Sequence, residues 1–224
     1  NPFIAPPGTS PEAASTPQRR FEAMVGYMDR LVGRLASAVD ELALAENTLI
    51  LFLGDNGTNR AIRSKLGERV IRGGKGTTTD AGTHVPFIAR WTGTIPAGRV
   101  CKDLAAVCDI LPTLGDAVHL TLPKNLDGRS FWPQLQGKRG SPRSWLYSYY
   151  NPRPEKTRPI RMAWDHSYKL YADGRFYHIS QDPEEQRPLT NWSDDPAAAR
   201  AHSKLQAAID SFPKKGEALL QFPP

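Results

Sequence analysis

The chain has 224 residues, 39% of them hydrophobic, and its 29 Lys and Arg against 23 Asp and Glu give a formal net charge of +6 at pH 7. That length buries either one large domain or a core with a subdomain, and no window approaches the roughly 18 consecutive apolar residues of a membrane-spanning helix. The basic residues are spread out, apart from Lys138-Arg139 and the stretch from Arg153 to Arg161, so they read as a solvated surface that favours anionic partners and not as a nucleic-acid footprint.

Residues 1–15, rich in Pro, Ala, Ser and Thr, read as an extended lead-in. Thr16 and Pro17 form a helix cap and first helical position. Phe21, Met24, Val25, Met28, Leu31, Val32, Leu35, Val39 and Leu42 then recur at three- and four-residue steps. This spacing predicts an amphipathic helix over 17–45, packed on a sheet with its methionines in the core. The continuous apolar run Leu49–Leu53 predicts a strand buried on both faces of a parallel sheet. Residues 54–83, full of Gly and polar side chains, predict a long functional loop. A strand over 85–91 follows, with Pro86 at its irregular start. Residues 109–120 have helical spacing with Pro112 in the first turn, and 121–143 read as a loop. Cys101 and Cys108, the only cysteines, match no metal spacing, and two buried thiols are favoured over a disulfide.

From Ser144 the character changes. Short aromatic runs at 144–150, 160–165, 168–171 and 175–179, with a turn at Ala172-Asp173-Gly174, predict an antiparallel meander. Residues 196–212 predict a closing helix with Ala199, Leu205, Ala208 and Ile209 inward. The expected organisation is an α/β part over residues 1–143 and a smaller α+β subdomain over 144–224.

Chemistry concentrates after the first strand. Asp55-Asn56-Gly57 stands at its carboxyl end, where sites of parallel α/β sheets gather. A carboxylate beside an amide oxygen suits a hard cation, Ca2+ or Mg2+. Lys75, in Gly73-Gly74-Lys75-Gly76-Thr77-Thr78-Thr79, is set among glycines that let an oxyanion approach. This is no nucleotide-binding P-loop, because Arg69 stands where that motif has its first glycine and Gly76 follows the lysine. Taken singly, Asp55-Asn56-Gly57 reads as a turn and Lys75 as a solvated lysine. Metal and anion together point to ester hydrolysis.

Taken in order, the segments resemble the sulfatase family of the alkaline phosphatase superfamily. They run Tyr27-Met28-Asp29, Gly54-Asp55-Asn56-Gly57, Gly73 to Thr78, and Gly82-Thr83-His84-Val85-Pro86-Phe87-Ile88 with Arg90-Trp91. Ile95 to Gly98, Asp109 to Leu114, Leu126-Asp127-Gly128, Tyr168 to Tyr171 and Asp182 to Glu185 continue the match. The resemblance implies part of an alkaline-phosphatase-like sandwich with a mostly parallel sheet, and a smaller C-terminal subdomain with an antiparallel sheet. It implies Asp55 and Asn56 as ligands of Ca2+, with Mg2+ as the alternative, and Lys75 as the lysine that holds sulfate and stabilises charge on the bridging or leaving oxygen. His84 is implied near the mouth of the site, either meeting substrate or serving as a structural histidine. The family's periplasmic, secreted and lysosomal compartments are compatible with the chain, and Asn191-Trp192-Ser193 is a glycosylation sequon.

The departures are as informative. Family members carry a C/S-x-P-x-R motif whose Cys or Ser becomes the formylglycine nucleophile, and neither Cys101-Lys102-Asp103 nor Cys108-Asp109-Ile110 fits it. Asn1-Pro2-Phe3 resembles the residues directly after an active-site histidine in an H-x-P stretch. The expectation is therefore the C-terminal portion of a sulfuric ester hydrolase acting on a sulfate monoester. Such a portion is inactive alone and needs its N-terminal half or self-association to cover apolar sheet surface. Two alternatives stay open. One is a phosphate or phosphonate ester hydrolase of the same superfamily. The other is a non-catalytic module binding anionic glycans, against which the joint retention of Asp55, Asn56 and Lys75 argues.

Overall fold

The computed structural model describes residues 4–212; Asn1-Pro2-Phe3, with the resemblance they carry, and residues 213–224 lie outside the described residues. The chain forms two compact units, one running to Arg99 and including Leu135–Gly137, the other Val100–Gln134 and the chain from Lys138 on.

In the first unit, α1 (Pro17–Glu41) starts where the Thr16-Pro17 pair dictates. The Thr16 hydroxyl accepts from the Arg19 N–H at 3.1 Å, satisfying one of the unpaired donors of the first turn. It ends four residues before the expected limit because Ala43 takes a positive φ of 55°, with Leu44 N–H donating to Val39 O and Ala43 N–H to Asp40 O. None of its residues is buried, and Met24, Met28, Leu31 and Leu35 are exposed. The methionines expected in a core thus lie open among the described residues. Periodicity specifies an apolar face but not what covers it.

The apolar run becomes β1 (Ile50–Leu53), which pairs antiparallel with β4 (Phe87–Arg90) from Ile50↔Arg90 to Leu53↔Phe87. Pro86 precedes β4, as its missing N–H requires. Among the described residues every strand pair is antiparallel, and β1 is half-buried, so the two-sided burial in a parallel sheet is not seen. A run of apolar side chains asks for burial, but strand direction depends on which segment returns beside it. Between them lies a hairpin that the loop expectation missed: β2 (Arg63–Leu66) with β3 (Arg69–Arg72), turned at Gly67-Glu68 with Gly67 at φ 58°. A short helix α2 (Asp80–Thr83) follows.

The second unit opens with α3 (Ile110–Ala117), Pro112 in its first turn as expected, and α4 (Trp132–Leu135). Asp109, only 1% exposed, anchors α3. It accepts Arg143 Nε at 2.8 Å, Arg129 N–H at 2.7 Å and Ala106 N–H at 2.9 Å, and it ion-pairs with Arg143 Nη2. Cys101 and Cys108 are free but exposed, correcting the expectation of buried thiols. The meander forms in sequence order, β5 (Leu146–Tyr150), β6 (Ile160–Trp164), β7 (Lys169–Tyr171) and β8 (Phe176–Tyr177), all antiparallel. Across it lies α5 (Pro196–Asp210), capped by Asp195, with Ala198, Ala201, Leu205, Ala208 and Ile209 buried and Ala199 only half-buried. Leu170 and Leu205 are fully enclosed at 0% exposure. No described helix is long and apolar enough to cross a membrane.

Candidate functional site

Three segments of the first unit meet where the β1–β4 ladder ends. Gly54 N–H donates to Pro86 O at 3.1 Å, one step beyond the last paired residues, and Asp55 and Asn56 follow directly. The Lys75 N–H donates to Thr58 O at 2.9 Å, and Gly57 N–H donates to Gly82 O at 3.1 Å. The Asp55-Asn56 turn is therefore laced by main-chain bonds to both the Lys75 loop and α2.

Glycine makes this lacing possible. A Cβ on Gly57 would sit 2.0 Å from Ala81 O, and one on Gly82 would sit 2.3 Å from Thr77 O, distances that no side chain tolerates. The backbones approach because these positions carry no side chain, and the loops hold each other without an apolar core between them. Thr77 Oγ1 closes the Lys75 loop on itself, donating to Gly74 O at 2.7 Å and lying 2.8 Å from Thr79 Oγ1.

Arg60 is the positioning residue that sequence reasoning passed over. Its Nε donates to Lys75 O at 3.1 Å and its Nη2 to Gly76 O at 3.0 Å, so one planar fork clamps the two consecutive carbonyls on either side of Gly76. Nothing in the spacing of Arg60 marks it, since the clamp exists only once the hairpin brings residue 60 back beside residue 75.

Lys75 and Asp55 are exposed and Asn56 is half-buried. Among the described residues no three His, Cys, Asp or Glu side chains gather as a metal cluster. One carboxylate and one amide oxygen, on consecutive residues of a turn, are donors of the type a hard cation takes and make up part of its usual six to eight oxygens. The pair fits such an ion as a contributor to a larger ligand set. His84 caps α2, and its Nδ1 lies 3.1 Å from Asp80 Oδ1. That hydrogen bond, partly opposed by burial and aided by the Asp80 charge, holds the imidazole pKa above its ordinary value. The other ring nitrogen has no hydrogen-bond partner among the described residues.

The Asp55-Asn56 turn and the Lys75 loop are joined main chain to main chain, and comparisons with known proteins give the family. The sequence pattern described as Sulfatase matches residues 9–120, half of the chain, and that described as N-sulphoglucosamine sulphohydrolase, C-terminal, matches residues 75–215. The chain is 30% identical over 235 residues to steryl-sulfatase of Mus musculus, an alignment covering 88% of this chain and 37% of that protein. It is 37% identical over 146 residues to arylsulfatase A of Homo sapiens, covering 64% of this chain and 28% of that protein. Among solved structures it is similar to the PsFucS1 sulfatase from Pseudoalteromonas sp., with a TM-score of 0.63, 26% identity, and 88% of this chain and 43% of that one covered. The chain belongs to the sulfatase family of the alkaline phosphatase superfamily. It spans well under half the length of these relatives.

Proposed function

We propose that these 224 residues carry one side of the active site of a sulfuric ester hydrolase, and that residues outside them complete the metal site and supply the formylglycine nucleophile. Asp55 and Asn56 contribute ligands to Ca2+, or to Mg2+, which when bound supplies fixed positive charge at the ester oxygens. Lys75 presents its ammonium to the sulfate and to the bridging oxygen that gains charge as the S–O bond breaks. His84, oriented by Asp80, faces substrate at the mouth of the site. The catalytic part is assigned to 1–143 and the antiparallel subdomain with its closing helix to 144–224. The mostly parallel sheet of an alkaline-phosphatase-like sandwich is proposed for the whole protein, with β1 as one of its strands. The open apolar faces of α1, β1 and β4 support that reading.

One observation carries the proposal. The Asp55-Asn56 turn and the Lys75 loop, distant from each other in sequence, are bound main chain to main chain through Lys75 N–H and Thr58 O. A metal-type donor pair and an oxyanion-type cation thus share one rigid support, which preorganised electrostatic catalysis requires.

The test is steady-state kinetics of the full-length protein on paired sulfate and phosphate monoesters. Lys75→Ala is expected to lower kcat and kcat/KM for the sulfate ester by on the order of a hundredfold, and Lys75→Arg to leave most of that loss, because a planar fork is a poor substitute for a compact ammonium. The 224-residue chain alone is the control and is expected not to turn over, for want of an attacking group. Unchanged kinetics in a folded Lys75→Ala protein, or sustained turnover by the chain alone, would overturn the assignment.

A further inference from the structure

The β2–β3 hairpin rises between the two site loops and carries charge of one sign on one face. Opposite residues of an antiparallel pair share a face, and faces alternate along each strand. The register Arg63↔Arg72, Ser64↔Ile71, Lys65↔Val70, Leu66↔Arg69 therefore places Arg63, Lys65 and Arg72 together, and sends Arg69 to the other face with Leu66 and Ile71. All eight strand residues are exposed. Among the described residues no carboxylate pairs with Arg63, Lys65 or Arg72.

Two features set this apart from an ordinary solvated surface. Arg63 and Arg72 lie directly across the ladder from each other, a like-charge pairing that weakens a hairpin unless an anion lies over it. The face is also wired to the site: Arg72 Nε donates to Arg60 O at 3.4 Å, and the Arg60 guanidinium clamps the Lys75 loop. The base of the hairpin closes through Gly73 N–H donating to Ile62 O at 2.9 Å, two residues before Lys75.

We infer that the Arg63–Lys65–Arg72 face binds the further anionic groups of a polysulfated oligosaccharide whose scissile sulfate is held at Lys75. The inference rests on the reading of the Lys75 loop as a sulfate-ester site, and it names the substrate class: a glycan bearing several sulfates, not a compact monosulfate. Three fixed cations spaced along two short strands match successive anionic groups on a chain, and guanidinium groups pair well with sulfate-type oxyanions.

The experiment has a binding arm and a turnover arm. In the first, the full chain is titrated with fluorescein-labelled dextran sulfate, and with a DNA oligonucleotide of equal charge, over a series of NaCl concentrations. R63A/K65A/R72A is expected to weaken dextran sulfate binding at least tenfold and to flatten its salt dependence. R69A, which removes a cation from the opposite face, is expected to stay within twofold of the parent, and R63K/R72K to retain most of the affinity. Lys65→Glu alone carries the same test if the triple variant does not fold. Unchanged binding by the triple variant, an equal loss in R69A, or equally tight binding of DNA would each overturn the assignment.

In the turnover arm, R63A/K65A of the full-length protein, which leaves Arg72 and its bond to Arg60 in place, is expected to keep kcat/KM on 4-nitrophenyl sulfate and to lose about fivefold on a sulfated oligosaccharide. Equal turnover of both esters by the variant and the parent removes the arm and leaves the sulfate-ester reading intact. No turnover of either ester by the parent, with binding still dependent on this face, removes the sulfate-ester reading and leaves a glycan-binding face.

Discussion

The region around the site and the meander at the end of the chain are held together by different means. In the meander, Ala163, Leu170, Phe176, Leu205, Ala208 and Ile209 form a closed apolar cluster, and even the buried charge is matched, with Lys169 Nζ 2.8 Å from Glu185 Oε1. Around the site, α1 buries nothing, Ile62 is the one large apolar side chain enclosed among the described residues 17–91, and main-chain bonds between glycine-rich loops supply the order. The lesson is that main-chain bonds between glycine-rich loops can order a backbone without enclosing its polar side chains, and Asp55 and Lys75 stay exposed. The meander and α5 are ordered by packing.

The largest break in that contrast should come from the core. Leu205→Ala in α5 is expected to cost about 3 kcal/mol, as an enclosed leucine does. Leu35→Ala on the open face of α1, 56% exposed, should cost under about 0.5 kcal/mol. Denaturant melts of the two variants check this, and equal losses would mean that α1 is covered.

Asp109 tests the polar anchor of the second unit. Burial raises its pKa, but the Arg143 hydrogen bonds and the Arg129 and Ala106 N–H groups more than reverse this and leave it below the ordinary carboxylate value. Because the folded pKa is the lower one, its contribution is present above the unfolded value near about 4 and is lost as pH falls through the folded value. Asp109→Asn is expected to cost about 3 kcal/mol at pH 7, since it leaves Arg143 without its charge partner, and to flatten the acid limb of a stability–pH curve.

Gly82→Ala sharpens the claim about interlocking. The added methyl meets Thr77 O at 2.3 Å, so the loops must separate. A cost of about 1–3 kcal/mol is expected, with faster amide exchange at Gly57 and Lys75, read by hydrogen–deuterium exchange. A variant as stable and as protected as the parent would show that the loops are held otherwise.

The smallest effect belongs to His84 and Asp80, both exposed. The folded imidazole pKa is raised, so the pair stabilises fully below the unfolded value of about 6.5, and that contribution is lost as pH rises through the folded value. Asp80→Asn is expected to lower the His84 pKa towards the ordinary value in an NMR titration, and to change stability by only a few tenths of a kcal/mol, as exposed pairs do.

By itself the sequence determined the local elements. The Thr16-Pro17 start, the Leu49–Leu53 run, Pro112 in the first turn of its helix and the four short strands after Ser144 are all written in nearest-neighbour terms, because caps, periodicity and proline act within a few residues. Asp55, Asn56 and Lys75 stood out through residue type and family order. What only the tertiary structure decided depends on segments distant in the chain. The antiparallel direction of β1 against β4, the exposure of the α1 stripe, the hairpin that gathers Arg63, Lys65 and Arg72, and the Arg60 clamp on the Lys75 loop are of this kind. Each is fixed by where the chain returns, and no local pattern of side chains encodes that.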